Sequence, residues 1–186
     1  MIMRGLQIFM KTKDYISEIE KSLAGCDEMI EKIVSVLLNL RKTGSRLWVL
    51  GNGGSLAIAQ HFAQDLLKMR GIRAHALNCP SILTAYTNDY AFDYSAYGPI
   101  KVLAQEGDII FIFSCSGKSR NYIEFVSWGE YPIISIVGTD GGFLKEKSAF
   151  CVHVSHHDYM LCESAFSIIA DLISLGLEKN EGDICV

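Results

Sequence analysis

The sequence predicts an α/β protein, a three-layer α/β/α sandwich built on a five-stranded, mainly parallel sheet. Three observations carry that prediction. From Leu47 onward, five short apolar runs alternate with helical stretches, and such alternation implies right-handed crossover units with helices on both faces of one sheet. The runs lack polar alternation, as in Ile109-Ile110-Phe111-Ile112-Phe113, so both sheet faces are expected to be covered. Two runs end in segments rich in glycine or serine, and ligands of such folds sit beyond the carboxyl ends of the strands.

The elements follow in order. Residues 1–43 read as an N-terminal helical extension. Ile16, Ile19 and Leu23 recur at helical spacing, and after Gly25 a second helix is expected with Asp27 as its N-cap. Its wide apolar face carries Met29, Ile30, Ile33, Val36, Leu37 and Leu40, and it stops at Lys42-Thr43-Gly44. A helical pair this apolar needs cover, from the following domain or from another subunit. Residues 44–180 read as the α/β domain and 181–186 as a frayed tail. Strands are expected at Leu47–Leu50, Arg73–Asn78, Ile109–Phe113, Ile133–Val137 and Phe150–Val154. Helices are expected at Ser55–Arg70, Ser81–Asn88, Phe92–Gln105, Ser119–Trp128, Gly142–Lys147 and Tyr159–Glu178.

Composition narrows the function. With 49% hydrophobic residues in 186, the chain has material for a real core and is not a disordered segment. Seventeen basic against 21 acidic residues give a net charge of −4, which leaves no electrostatic footprint for nucleic acid. The apolar runs are too short to span a bilayer, and residues 1–10 show no signal peptide. The six cysteines form no C-x-x-C pair or zinc-finger spacing, as expected of reduced thiols in a cytoplasmic protein.

The two strand-end loops carry the chemistry. Gly51-Asn52-Gly53-Gly54-Ser55 opens a helix, where glycines let backbone approach a ligand and free N–H groups favour an anion. Ser55 is placed either to cap that helix or to offer its hydroxyl. Ser114-Cys115-Ser116-Gly117-Lys118-Ser119 combines short donors, a bendable backbone and a positive charge, a composition that suits phosphate. His61 and Asp65 lie four residues apart on one helical face, able to share a metal or to form a hydrogen-bonded pair. His153, His156 and His157 read as a polar loop before the last helix, with Asp158 as its N-cap.

Together with Ala59-Gln60-His61-Phe62-Ala63 and Thr87-Asn88-Asp89-Tyr90-Ala91-Phe92-Asp93, these loops resemble the sugar isomerase (SIS) domain, and more narrowly the bacterial phosphoheptose isomerase family. The likeness runs from about residue 12 to about 178. It implies a homotetramer whose N-terminal helices pack between subunits, with active sites at subunit boundaries. It implies that Ser55, Ser114, Ser116 and Ser119 hold the phosphate of an open-chain sugar, that Asn52 and Asp89 contact the sugar, and that Gly53 and Cys115 belong to the same substrate-binding loops. The implied reaction interconverts sedoheptulose 7-phosphate and D-glycero-D-manno-heptose 7-phosphate through an enediol, with no nucleotide cofactor. Family members often carry zinc on a His and a Glu of the helix after the glycine loop and a Gln and a His of the last helix.

The chain departs from that pattern at the chemistry. His61 matches, but the family's helix glutamate is Asp65, its Gln-Glu pair reads Cys162-Glu163, and its last-helix histidine falls at Ala170. One reading is a working isomerase in which Asp65, His61 and Glu163 are catalytic and His61, Asp65 and Cys162 bind zinc. The other is a binding protein that keeps the sugar-phosphate pocket without the reaction.

Overall fold

The structure is a computed structural model that describes residues 10–178. The expected tail at 181–186 lies outside the described residues. Two helices, α1 (Thr12–Leu23) and α2 (Asp27–Thr43), precede β1 (Arg46–Leu50) and α3 (Gly54–Arg70). Then follow β2 (Arg73–Ala76), α4 (Pro80–Asp89), α5 (Tyr94–Leu103), β3 (Ile109–Ser114) and α6 (Ile123–Trp128). The chain continues through β4 (Ile133–Val137), α7 (Gly142–Lys147) and β5 (Phe150–His153) to α8 (Tyr159–Gly176). All five expected strands are present. Two helix starts in these outer layers differ from expectation. Cys26, not Asp27, holds the cap position of α2, and Asp27 begins the helix. The helix expected from Ser119 starts as a 3₁₀ turn, Arg120–Tyr122, before α6.

The sheet is parallel at every pairing, in the order β2-β1-β3-β4-β5. β1 therefore has β2 on one side and β3 on the other, and the order reverses between β1 and β3. At such a switch point the loops leaving the two strands diverge to opposite layers and open a crevice between them. The period-2 pleat divides the central strand: Ile109, Phe111 and Phe113 join the core under α1, α2, α3 and α8, while Ile110 and Ile112 face the α4–α7 layer. A buried carboxylate pins the far end of the same strand pair. Asp108 accepts from the Trp48 indole (2.9 Å), from Arg46 N (2.8 Å) and from Gln105 N (3.0 Å), so its burial leaves no lone acceptor.

The following domain supplies cover for the N-terminal helices. Ile33, Leu37 and Leu40 of α2 are buried in the shared core, each side chain contributing about 1.5–3 kcal/mol by its burial. Tyr15 of α1 hydrogen-bonds Ser164 of α8 at 2.7 Å. α8 is long and apolar enough by composition to cross a membrane. In the fold it is a core helix, with Phe166, Ile169 and Ile173 fully buried. Asp158 caps it as expected, accepting from Met160 N (2.8 Å) and Leu161 N (3.1 Å).

Candidate active site

The crevice at the switch point holds the two polar loops. A cleft of about 90 Å³ is lined by Asn52, Ser55, Ser114, Cys115, Ser116 and Ser119, with Phe113 and with Tyr159 and Glu163 of α8. Six of the eight residues expected to bind substrate thus converge on one space. Of the other two, Gly53 is the cap residue of α3 and lines the adjoining 220 Å³ cavity, which shares Asn52. Asp89 is the last residue of α4, exposed, accepting from Asn88 at 2.8 Å and lining neither space.

The loop geometry leaves its hydroxyl protons available. Ser114 Oγ accepts from Gly117 N and Ser116 Oγ accepts from Lys118 N, both at 3.1 Å. An oxygen engaged as acceptor keeps its own O–H to donate to an anion. Gly117 adopts φ +62°, and a Cβ there would collide with the Gly141 carbonyl. The loop is therefore buttressed by the turn before α7 as well as by its own bonds. Asn52 and Asn121 exchange two amide hydrogen bonds of 3.0 Å, which fix the glycine loop against the serine loop. Asn121 was not singled out by sequence, and a single Asn beyond a serine-rich turn gives no local signal.

Two residues behave otherwise than expected. Ser55 does not cap α3, because Gly53 holds that position. Its hydroxyl donates to Glu163 Oε1 at 3.2 Å. Lys118, the positive charge expected beside the phosphate, is paired with Asp140, and Arg120 is paired with Asp93 at 2.8 Å. Positive potential in the cleft therefore falls chiefly to the N-terminus of the 17-residue α3. Glu163 sits against that terminus, and a Cβ on Gly54 would collide with its carboxylate.

His61 and Asp65 occupy a different part of the same helix pair. They line a cavity of about 360 Å³ between α3 and α8, together with Ala57, Ser167, Ala170 and Asp171. His61 Nε2 stands 3.6 Å from Asp65 Oδ2, beyond a direct hydrogen bond. Ala170 faces this pair, so the position that departs from the resemblance is at the site and not beside it. Asp171, missed in the sequence, shares the cavity. The two spaces share no lining residue: Ser55 of α3 and Glu163 of α8 line the cleft, whereas His61 and Asp65 of α3 and Ser167, Ala170 and Asp171 of α8 line the cavity further along the same helix pair.

The expected zinc set does not assemble. Cys162 is fully buried and lines neither space, and its thiol donates to the His156 carbonyl at 3.1 Å. It precedes Glu163 by one position, about 100° round the helix, which turns it from the cleft into the core. Among the described residues no group of three or more His, Cys, Asp or Glu side chains could hold a metal ion. His61, Asp65 and Cys162 within one chain therefore do not fit zinc. The influence of the Cys115 thiol holds Cys162 below the usual thiol range, and that of Cys162, together with burial, pushes Cys115 up. The three late histidines form a polar segment: His153 bonds the Thr139 carbonyl (2.9 Å) and Lys145 (3.1 Å), and His156 Nδ1 accepts from Asp158 N (3.0 Å).

The family model described as SIS domain matches residues 9–137. The phosphoheptose isomerase of Geobacter metallireducens is 36% identical over 163 residues, which span 81% of this chain and 86% of that protein. The chain belongs to the SIS domain family, among the phosphoheptose isomerases. The solved phosphoheptose isomerase of Neisseria gonorrhoeae superposes with a TM-score of 0.81 at 27% identity, over 89% of this chain and 94% of that one. The enzyme from Francisella tularensis shares the fold at the same TM-score with 23% identity, over 90% and 98% of the two chains. Within this SIS domain the serine cleft, the α3–α8 cavity and Ala170 are the features to be explained by function.

Proposed function

We propose that this SIS domain isomerises an open-chain sugar phosphate between ketose and aldose, with sedoheptulose 7-phosphate and D-glycero-D-manno-heptose 7-phosphate as the pair. The observation that carries the reading is the convergence of Ser55, Ser114, Ser116 and Ser119 with Asn52 on one cleft, with His61 and Asp65 lining a second cavity further along α3. The Ser114, Ser116 and Ser119 hydroxyls and the α3 N-terminus hold the phosphate. The sugar extends from the cleft toward the cavity between α3 and α8. Six residues separate Ser55 from His61, about 9 Å of helix, and an extended seven-carbon chain spans roughly that length. At the far end the Asp65 carboxylate takes a proton from C1 of the ketose and returns it at C2 of the enediol, while His61 exchanges a proton with the carbonyl oxygen. Glu163, held at the phosphate end by Ser55, positions that hydroxyl. No step requires a metal.

The exposed Ile168, Leu172 and Leu175 of α8, with Ile16 of α1, form apolar surface that supports assembly of copies into the tetramer implied by the resemblance. His61, whose side chain is 70% exposed, would then lie at a subunit boundary. One observation favours a second reading, a protein that binds the sugar phosphate without converting it: Ala170 presents a methyl group where proton transfer needs a polar partner. Incubation with sedoheptulose 7-phosphate in deuterium oxide separates the two. Incorporation of deuterium at carbon with appearance of aldose supports the isomerase. A raised melting temperature with no incorporation refutes it and leaves the binder.

A further inference from the structure

The 220 Å³ cavity beside the serine cleft plays no part in the proposed reaction. It shares Asn52 with the cleft but lies on the other face of the sheet from His61 and Asp65: Leu50, Leu77, Ala96 and Tyr122, which line it, belong to the core of the α4–α7 layer. Thr87 and Phe92, both exposed, also line it. Tyr122 is 1% exposed, and its hydroxyl has no hydrogen-bond partner among the described residues. The amide of the adjacent Asn121 is engaged by Asn52 through two bonds of 3.0 Å. A buried hydroxyl is rarely left unpaired, because burial forfeits the bond that water would make. Among the described residues no charged side chain lines the cavity.

We propose that this cavity binds a small neutral carboxamide, its polar head on the Tyr122 hydroxyl and a branched aliphatic end against Leu50, Leu77 and Leu83. Three features of the lining select that class. With no charge to pair with, an ion would lose its water uncompensated, which leaves neutral molecules. A phenol both donates and accepts, and so does a carboxamide; the buried Ser95 hydroxyl and the Asn52 amide line the same cavity and take its remaining groups. Leu50, Leu77, Leu83 and Ala96 offer apolar surface, which an aliphatic tail covers. Size agrees. An apolar cavity of about 150 Å³ holds benzene, a molecule of six heavy atoms, so 220 Å³ has room for isobutyramide, which also has about six. The site stands on the surroundings of Tyr122 and owes nothing to the phosphate reading.

The full-length protein is titrated with isobutyramide, and separately with its charged counterpart isobutyrate, by protein-observed NMR in the absence of any phosphate. The expected result is saturable binding of isobutyramide in the millimolar range, with the largest shifts at Leu50, Asn52, Ser95 and Tyr122, and isobutyrate weaker by about tenfold or more. Tyr122→Phe keeps the ring and removes the unpaired hydroxyl, so it should melt no lower than wild type and bind isobutyramide about fivefold more weakly. Equal binding of amide and carboxylate, shifts confined to other residues, no saturation, or undiminished binding by Tyr122→Phe overturns the proposal. The comparison of the two ligands on wild type decides the matter even if the variant fails to fold. Displacement of isobutyramide by saturating sedoheptulose 7-phosphate would make the cavity part of the sugar site and overturn its separate role. Failure of phosphate to bind the serine cleft would leave every one of these readings unchanged.

Discussion

Replacing Ser116 with alanine isolates the anion-binding role of the serine loop from its structural role. Ser116 is half-buried, and its oxygen accepts one bond, from Lys118 N at 3.1 Å. Lys118 is exposed, so water replaces the lost acceptor and the folding cost stays near the ±0.5 kcal/mol of an ordinary surface change. A hydroxyl hydrogen bond to a charged group contributes about 1.5–3 kcal/mol, which converts to roughly 10- to 150-fold in dissociation constant. Ser114 is the contrasting case. It is buried, and its oxygen satisfies Gly117 N inside the loop. Ser114→Ala therefore leaves a buried donor unpaired, at about 1–3 kcal/mol of stability, in addition to the lost affinity. Calorimetry with sedoheptulose 7-phosphate and thermal unfolding of both variants read the two effects separately. Ser116→Ala binding within twofold of wild type, in a protein that melts normally, refutes the assignment of this loop to the phosphate.

Four further outcomes follow from the same geometry. Asp65→Asn is expected to reduce deuterium incorporation by about 10²–10⁴-fold with little change in phosphate affinity; proton NMR in deuterium oxide measures the first and calorimetry the second. Ala170→His places an imidazole in the 360 Å³ cavity facing His61 and Asp65, and incorporation should rise at least tenfold by the same assay. Glu163→Gln removes a negative charge from the α3 N-terminus, so inorganic phosphate should bind about tenfold tighter while incorporation persists; loss of incorporation would instead make Glu163 the base. Burial raises the Tyr122 phenol above its ordinary value of 10.0, so the folded state resists its ionisation while the unfolded chain does not. The resulting stability is full below pH 10 and is lost as pH rises beyond it, and Tyr122→Phe should flatten that alkaline decline in urea titrations.

The central strands β1, β3 and β4 were legible because they are rich in apolar residues, the edge strand Arg73–Ala76 by its place between helical stretches, and the two loops because their composition is unusual at a strand end. What the sequence could not show is the strand order. Adjacency of β1 and β3 is what brings Ser55 and Ser116 to one cleft, and sixty residues of intervening chain carry no local mark of it. Helix phase hid the rest. Cys162 and Glu163 are neighbours in sequence, yet α-helical rotation sends the first into the core and the second into the cleft. The same rotation separates Cys162 from His61 and Asp65 and dissolves the expected zinc set. Asp171 escaped notice because its meaning depends on α8 packing against α3. Lys118 misled for a different reason: loop composition gives no sign of Asp140, the partner that takes up its charge.

The two functional readings differ by a quantity that the α3–α8 cavity makes concrete. Proton transfer between adjacent carbons needs a base near carbon and a donor near oxygen. Asp65 supplies the first, although one methylene shorter than glutamate, and a misplacement of about 1 Å can cost on the order of 10²-fold. Ala170 supplies nothing to the second, and loss of a positioned acid or base removes typically 10²–10⁴-fold. Neither deficit touches the phosphate anchor or the alignment of the chain along α3, and positioning of this kind contributes acceleration of its own. The arithmetic therefore describes a slow isomerase, whereas a pure binder requires that Asp65 be idle as well. Asp65→Asn and Ala170→His test these from opposite sides. A slow isomerase loses incorporation in the first and gains it in the second. A protein in which both variants match wild type at an undetectable rate holds its sugar phosphate for some purpose other than proton transfer.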